Sequence, residues 1–528
     1  MAGNLIIEGS GDLFDKCPVV GLDVRQSLGH IGEAEIHFET SSSYGSAFKL
    51  HSEFQETLGN RITCSIGDWK FIGRAESLRY ESTAGRFNLL LRDEMAVLDG
   101  SVESLVFSSE NQMLSHIIKS RIPEYHLQGS DKSINLAIQY QESTLKFIKR
   151  LLGQFGYQIW CDAGVIYAGS EPSSEESRIL YTGRDILDFS LVTELGPESV
   201  EIKTFEYDAI DGGQSEKPEL NNNGHGELQK SMTQIRRELM PIQRLHTVGE
   251  DISVKSSGVG TEFLRRRADG RMKIRGRILF PVALGGMVKI SNAESSESCM
   301  VKKLTGKVDS TGRGSWEIEA VSAEAILDTC DIEPSKMYMS LAVVDKAKNT
   351  WDRDRVCASD SMNRVCVTFP WDSNASRPFL RLLMPSWGDG HMHYIRPEVG
   401  DAVIVVWGQP DIDPFVVGAI NAGTGSSKGR RKINDPDISS MLRTIQGLSL
   451  TTDKKSIVLR NESNKGNSSI EIEPDALTVK SKTGSSVIID GDTIRLDAGD
   501  GTKIEMKPGE INLSASKIEL STKSLNIK

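Results

Sequence analysis

Ser486-Val-Ile-Ile-Asp-Gly-Asp-Thr-Ile-Arg-Leu-Asp-Ala-Gly-Asp-Gly-Thr-Lys-Ile-Glu-Met-Lys-Pro-Gly-Glu-Ile-Asn-Leu513 is the stretch on which the reading of this chain turns. Its aliphatic residues come in pairs two apart: Val487/Ile489, Ile494/Leu496, Ile504/Met506 and Ile511/Leu513. The pattern continues on either side at Ile457/Leu459, Ile470/Ile472, Leu477/Val479, Ile518/Leu520 and Leu525/Ile527, and from residue 470 the steps between pairs are 7, 10, 7, 10, 7, 7 and 7. Residues two apart share one face of a strand, so the unit is one short strand and one corner. The three-residue surplus falls at Lys482-Thr-Gly484 and Ala498-Gly-Asp-Gly501, where a turn would bulge.

One such strand buries two aliphatic side chains, too little against the roughly 1–2 kcal/mol of backbone entropy lost for each residue ordered. A single copy is therefore expected not to fold here. Three copies wound into a triangular β-prism would give every inward aliphatic two partners on the axis and every strand a neighbour. The stretch predicts a homotrimer with Ile470, Ile472, Leu477, Val479, Val487, Ile489, Ile494, Leu496, Ile504, Met506, Ile511, Leu513, Ile518 and Leu520 as its core. A single-chain β-solenoid is the alternative, with wider faces and longer coils than these steps permit.

Upstream the composition changes. Residues 441–528 hold no Phe, Trp, Tyr, His or Cys, whereas 355–421 alternate short strands with aromatics, as in Val365-Cys-Val-Thr-Phe-Pro-Trp371 and Val403-Ile-Val-Val-Trp407. Five short strands in about 65 residues suit a barrel of the OB type. Such barrels stack bases on aromatics, which makes Trp371, Trp387 and Trp407 a platform to consider. Five Arg, no Lys and seven acids in that span argue instead for core packing. Nearer the start, strand-length runs such as Asn60–Ile66 and Arg86–Arg92 predict a β-rich opening. Phe54, Leu58-Gly59 and Gly85-Arg-Phe87 have later counterparts in Phe280, Leu284-Gly285 and Gly314-Ser-Trp316, a weak internal repeat that suggests two similar barrels. Between them Ser143 caps a predicted helix carrying Leu145, Ile148, Leu151, Leu152 and Phe155, stopped by Gly156. Residues 208–228 read as a polar loop, and Arg265, Arg266, Arg267, Arg271, Lys273, Arg275 and Arg277 form a basic run, either a solvated face or a partner contact.

The whole chain has 528 residues, enough for three or four domains, and a net charge of −11, which excludes a global basic field for nucleic acid or anionic lipid. Seven cysteines without a CxxC make a disulfide framework improbable, and the first residues lack a basic-then-apolar leader. The expected place is a reducing cytoplasm until another route exports the protein.

Tyr140-Gln-Glu-Ser-Thr-Leu-Lys-Phe-Ile-Lys-Arg-Leu-Leu-Gly-Gln-Phe-Gly156 resembles the Y-x-E-S-x-x-x-F-x-x-R-L-L helix of VgrG and related contractile-tail hub proteins. Asn363–Asp372 is similar to the opening of their OB barrel, and Ile395–Asp401, Gly408–Pro414 and Val417–Asn421 to its close. The resemblance implies a mainly β chain: a first hub barrel at 1–100, an inserted α+β segment at 101–200, a second hub barrel at 201–345, an OB-fold barrel at 346–422, a linker at 423–446 and an intertwined trimeric β-helix needle at 447–528. It also implies a function. Three chains would cap the hexameric inner tube of a contractile injection machine, two barrels per chain giving a pseudo-sixfold ring, and be driven through a target membrane. The basic run is the expected tube contact, and a PAAR-like tip protein would cover Ser524, Leu525, Asn526, Ile527 and Lys528. With no effector appended, the extracellular injection particle is the expected subtype, ahead of a type VI secretion spike or a phage or pyocin tail spike.

An enzyme is the rival class. His391-Met-His393 with Asp389 could begin a metal site, but no third ligand is suggested by spacing. Asp490-Gly-Asp492 and Asp497 to Asp500 look like calcium turns without the full repeat and read better as corners. GxSxG, HExxH and GxxxxGK[ST] are absent, so no catalytic residue, metal or cofactor is expected. A trimeric polysaccharide-cleaving tailspike is the second rival, disfavoured by a tail without aromatics to stack sugars.

Overall fold

Glu33–Glu39 and Arg61–Ile66 alternate buried with more open side chains, and each becomes a strand with one face in the core. The computed structural model describes residues 4–9, 12–40, 49–108 apart from 50, 53 and 82, 112–169 apart from 135 and 156, 178–193, 199–205, 214–216, 242–248, 272–291, 296–322, 336–345, 364–384, 387–388, 391–392, 397, 399–409, 412–420, 440–443, 448–452, 455–463, 466–519 and 521. The described chain is mainly β, and it divides into two units, Met1–Asn421 and Ala422–Lys528.

In the first unit, strands from both stretches read as barrels pair into one 12-stranded sheet. The junction is antiparallel pairing of Val19–Ser27 with Ser296–Asp309, from Ser27 opposite Lys303 to Gly21 opposite Asp309. One core serves both halves, with Phe38, Phe71, Phe87 and Trp316 at most 1% exposed. Trp69 of the first half meets Trp316 of the second edge-on at 5.1 Å. Arg178–Tyr181 and Ile186–Thr193, from the stretch expected to be an insertion, also join this sheet.

The internal repeat is visible in the hydrogen bonds. Gly59 N–H donates to Ala75 O at 2.8 Å and Ala75 N–H to Asn60 O at 3.0 Å; Gly285 N–H donates to Val301 O at 2.9 Å and Val301 N–H to Gly286 O at 3.1 Å. Immediately afterwards each long strand bulges, between Ala75 and Ser77 and between Val301 and Lys303. Gly285 sits at φ +71°, and a Cβ there would lie 2.4 Å from Trp160 Nε1, so both the turn and the packing require glycine.

The inserted segment pairs Val102–Ser108 with Leu136–Ser143 and carries the predicted helix, observed as Thr144–Gln154. Ser143 Oγ caps it, accepting from Lys146 N–H at 3.3 Å. The family-like motif here has a physical reason at nearly every position. Tyr140 leaves for the neighbouring barrel and Gln141 turns the chain at φ +50°. Glu142 holds Arg150 at 2.6 Å, while the same guanidinium donates to Ile138 O at 2.7 Å. Phe147 stacks on Phe107 at 5.5 Å.

Lys336–Val344, Val365–Thr368, Phe379–Leu382, Ile412–Ile420 and Ala402–Gln409 close into a five-stranded barrel. Its first strand begins at 336, before the boundary expected at 346: residues 337–344 alternate open and more buried side chains, and 336–343 pair with Ala402–Gln409. The barrel core, including Val365, Val403 and Val416, is completed by Val106, Leu136 and Ile138 of the inserted segment. Asp372 fixes that junction: its carboxylate accepts from Val106 N–H at 2.9 Å, while Ser376 Oγ donates to Val106 O at 2.6 Å.

Candidate functional site: the aliphatic face of the tail

Nine strands of the second unit, from Ser440–Arg443 to Glu510–Ser514, run as an antiparallel meander, each bonded to the next in sequence. Within the described strands, from Ile457/Leu459 to Ile511/Leu513, each aliphatic pair falls opposite the next. Ile470 faces Val479 and Ile472 faces Leu477; Val487 faces Leu496 and Ile489 faces Ile494; Ile494 faces Met506 and Leu496 faces Ile504; Ile504 faces Leu513 and Met506 faces Ile511. The pairs line one face of the sheet. Arg495, opposite Ile488 and Glu505, lies on the other, and its Nε bonds Glu505 Oε1 at 2.8 Å.

That aliphatic face is not covered. Ile472, Val487, Leu513 and Ile511 keep 48%, 36%, 47% and 66% of their surface open, and Leu477, Val479, Ile494, Leu496, Ile504 and Met506 are half-buried. Ile518 is exposed, while Leu520 and the expected tip, Ser524 to Lys528, lie outside the described residues. Val479, Val487, Leu496 and Ile504 line an open hollow of about 380 Å³ on the same face.

The two surplus loops meet at the rim of this hollow. Ser481–Ser485 and Ala498–Thr502 link successive hairpins on one edge, and Ser485 Oγ donates to Ala498 O at 3.0 Å. Gly499 is at φ +85°, where a Cβ would stand 3.0 Å from Thr483 O. Asp497 Oδ1 accepts from Gly499 N–H at 2.8 Å, a bond that with the nearby Lys503 ammonium holds its carboxyl below the usual range; Asp500 is lowered by the bond from Thr502 N–H. These carboxylates serve as turn caps. No cluster of three or more His, Cys, Asp or Glu suited to a metal occurs among the described residues.

Within the described residues each tail strand is hydrogen-bonded to its sequence neighbours, with links of two residues at Gly491-Asp492 and Pro508-Gly509. The aliphatic face is what the single chain leaves open.

The other candidate residues fall into three groups. Arg265, Arg266, Arg267 and Arg271 lie outside the described residues, whereas Lys273, Arg275 and Arg277 are on Met272–Ile278 with Ile274 and Ile278 buried on its other face. Arg275 Nε bonds Glu319 at 2.9 Å and Arg277 Nη2 bonds Asp188 at 2.8 Å, so both take part in cross-strand ion pairs. In the barrel Trp407 is 2% exposed, and Tyr140 packs on Trp371 at 5.1 Å and on Trp407 at 5.2 Å. Trp407 is sealed in the core, and the half-buried Trp371 packs against it through Tyr140 and Phe369. The side chains of Trp387 and His391, with all of Asp389 and His393, lie outside the described residues. Sequence reasoning missed Asp93 and Asp162, since nothing local to either residue announces burial. Asp93 accepts from Gly32 N–H at 2.7 Å and Met95 N–H at 3.0 Å, Asp162 from Leu284 N–H at 3.2 Å, and burial pushes each carboxyl up to about 7.

Residues 354–420 match the family model of the type VI secretion system/phage-baseplate injector OB domain. A chain of the half-lidded Francisella PdpA–VgrG complex aligns over 94% of this chain and 88% of its own, at 10% identity and a TM-score of 0.53. Over that reach the likeness is one of fold. An E. coli component of the type VI secretion system, described as similar to bacteriophage T4 tail proteins, aligns over 79% of this chain and 99% of its own, at 14% identity and a TM-score of 0.49. The 43 kDa tail protein of a Shewanella oneidensis prophage aligns over 62% of this chain and 100% of its own, at 13% identity and a TM-score of 0.46. No curated protein matches this chain by sequence. Among its described residues no helix is long and apolar enough to cross a membrane.

Proposed function

We propose that this chain is the trimeric spike of a contractile injection machine, a structural part rather than an enzyme. One observation carries the reading: the aliphatic pairs of the tail fall in register on one face of a nine-stranded sheet and stay half-open. Closing three such faces on a common axis gives the triangular prism, at a gain of about 1 kcal/mol for each half-open aliphatic side chain buried. The hub then seats on the end of a hexameric inner tube, with the strand of Lys273, Arg275 and Arg277 and the preceding arginines as part of that contact. A PAAR-like protein covers the tip at Ser524–Lys528, and sheath contraction drives the needle into a target membrane. Residues 422–446, between barrel and tail, are too few for a lysozyme-like domain at that place, and the subtype this favours is an extracellular, phage tail-like particle.

Light scattering of the full chain tests assembly: a mass three times 58.1 kDa is expected, and a stable monomer sinks the reading. Ile494→Asp should abolish the trimer, since it places three charges on one axis, whereas Arg495→Asp should leave it intact. Equal behaviour of the two would mean that the aliphatic face is not the contact.

A further inference from the structure

Two large cores meet at a thin seam. Phe38, Phe71 and Trp316 belong to the hub core, and Phe147, Leu152 and Ile159 to that of the inserted segment. Between them lies a small separate cluster of Leu28, Trp160, Leu284, Met300 and Val321. Around it the segment strand Gln158–Asp162 is tied to both halves of the hub: Gly29 N–H donates to Ile159 O at 2.7 Å, and Leu284 N–H to Asp162 Oδ1 at 3.2 Å. Asp93 stands on the hub side, where its buried carboxyl joins Gly32 to the start of Met95–Asp99 and lies beside the buried Cys161. The titratable groups that face Asp93 are Glu33, Glu94 and Cys161, and those that face Asp162 are Cys161 and Tyr167, with His126 stacked on Tyr167 at 5.5 Å. No ammonium or guanidinium is among them. The arginines at the rim pair with the flanking acids instead: Arg61, which also reaches Gly164, and Arg74 hold Glu94 at 3.2 and 3.4 Å, and Arg92 holds Glu33 at 3.2 Å.

We propose that Asp93 and Asp162 form a proton-operated joint, closed while both carboxyls are neutral and loosened when they ionise, through which pH sets how firmly the inserted segment is held to the hub. A neutral carboxyl has a proton to donate. Gln26 Oε1 is buried without a donor among the described residues, and a Cβ on Gly32 would lie 2.7 Å from Asp93 Oδ2 and 3.4 Å from Gln26 Cγ, so acid and unmet acceptor stand over the same glycine. An ionised carboxylate here meets no cation, and opening the seam to water relieves it. Each group titrates near 7 in the closed seam and near 4 once released, so each favours opening about thirtyfold more at pH 8 than at pH 5.5, with little further change at higher pH. Val106, Leu136 and Ile138 of the same segment wall the barrel, so segment and barrel loosen from the hub as one body. The joint works within one chain and does not depend on the trimer reading.

Cys161, buried at the seam, reports the joint, and Cys64, buried in the hub core, is the internal reference. The full chain is labelled briefly with 4,4′-dithiodipyridine from pH 5.5 to 9, and each modified cysteine is located by peptide mass. Labelling of Cys161 relative to Cys64 should rise by about thirtyfold or more up to pH 8 and then level off, whereas thiol ionisation alone would go on raising it. Asp162→Asn keeps the acceptor for Leu284 N–H but cannot ionise, and should cut the rise by about a factor of ten or more. A constant ratio of Cys161 to Cys64 labelling across the range, which is also what unfolding of the whole hub would give, overturns the proposal. So does an Asp162→Asn profile identical to that of the parent. The parent profile decides by itself where the variant does not fold.

Discussion

In the hub, Phe38, Phe87 and Trp316 are sealed between strands that belong to two distant halves of the chain. In the tail the strands alternate just as regularly, yet Ile472 and Leu513 keep nearly half their surface open. The difference lies in which strands pair. Hub hairpins also turn within a few residues, as from Ile66 to Trp69 and from Asp309 to Gly314, but the hub adds pairings between strands far apart in sequence, Val19–Ser27 with Ser296–Asp309 and Leu5–Glu8 with Arg61–Ile66, so one core closes within the chain. Tail strands return after two to five residues, which satisfies the ladder and leaves no chain for a second layer. Alternation makes a face; only chain length or other copies can cover it.

The largest expected effect breaks the tail and spares the hub. Ile504→Asp should abolish assembly as completely as Ile494→Asp, while a hub thermal transition survives in calorimetry. Next comes the reverse: Trp316→Ala, at a fully buried site, should cost the hub about 3–5 kcal/mol and lower its transition without changing the oligomeric state.

A smaller effect sharpens the contrast through pH. Asp93 and Asp162 are raised to about 7 in the folded hub, from near 4 when unfolded, so their contribution to stability is full below about pH 4 and is lost as pH rises through 7. The tail's Asp497, Asp500 and Glu505 are lowered and run the opposite way, Glu505 chiefly through its bond from Arg495. Hub melting is therefore expected to be lower at pH 8 than at pH 5.5, and Asp162→Asn, which keeps an acceptor for Leu284 N–H, should narrow that gap. If the gap is unchanged, Asp162 is not its source. The smallest effect concerns the exposed ion pairs: Arg277→Ala should change hub stability by about 0.2–1 kcal/mol, less at high salt.

Features written locally in the sequence were legible. Ser143 announced its helix, and the tail pairs announced their face, because capping and period-two alternation act within a few residues. The doubled hub was half-legible: Gly59 and Gly285 stand out as turn glycines, but the shared bulges after Ala75 and Val301 are properties of strand pairing. Partners distant in sequence were not legible. Tyr140 gives no local sign that it plugs a barrel more than 200 residues away, nor does Asp162 that Leu284 covers it. For the tail, alternation told which side chains share a face and left open whose strands lie beside them.

The meander of the tail also bears on how the molecule comes into being. Because each strand pairs with the one just made, contacts there are short in sequence, and such topologies form quickly and can zip up from either end. A tail that zips up in this way completes its ladder while its aliphatic face is still open, and for as long as that face stays uncovered the protein is most prone to aggregate.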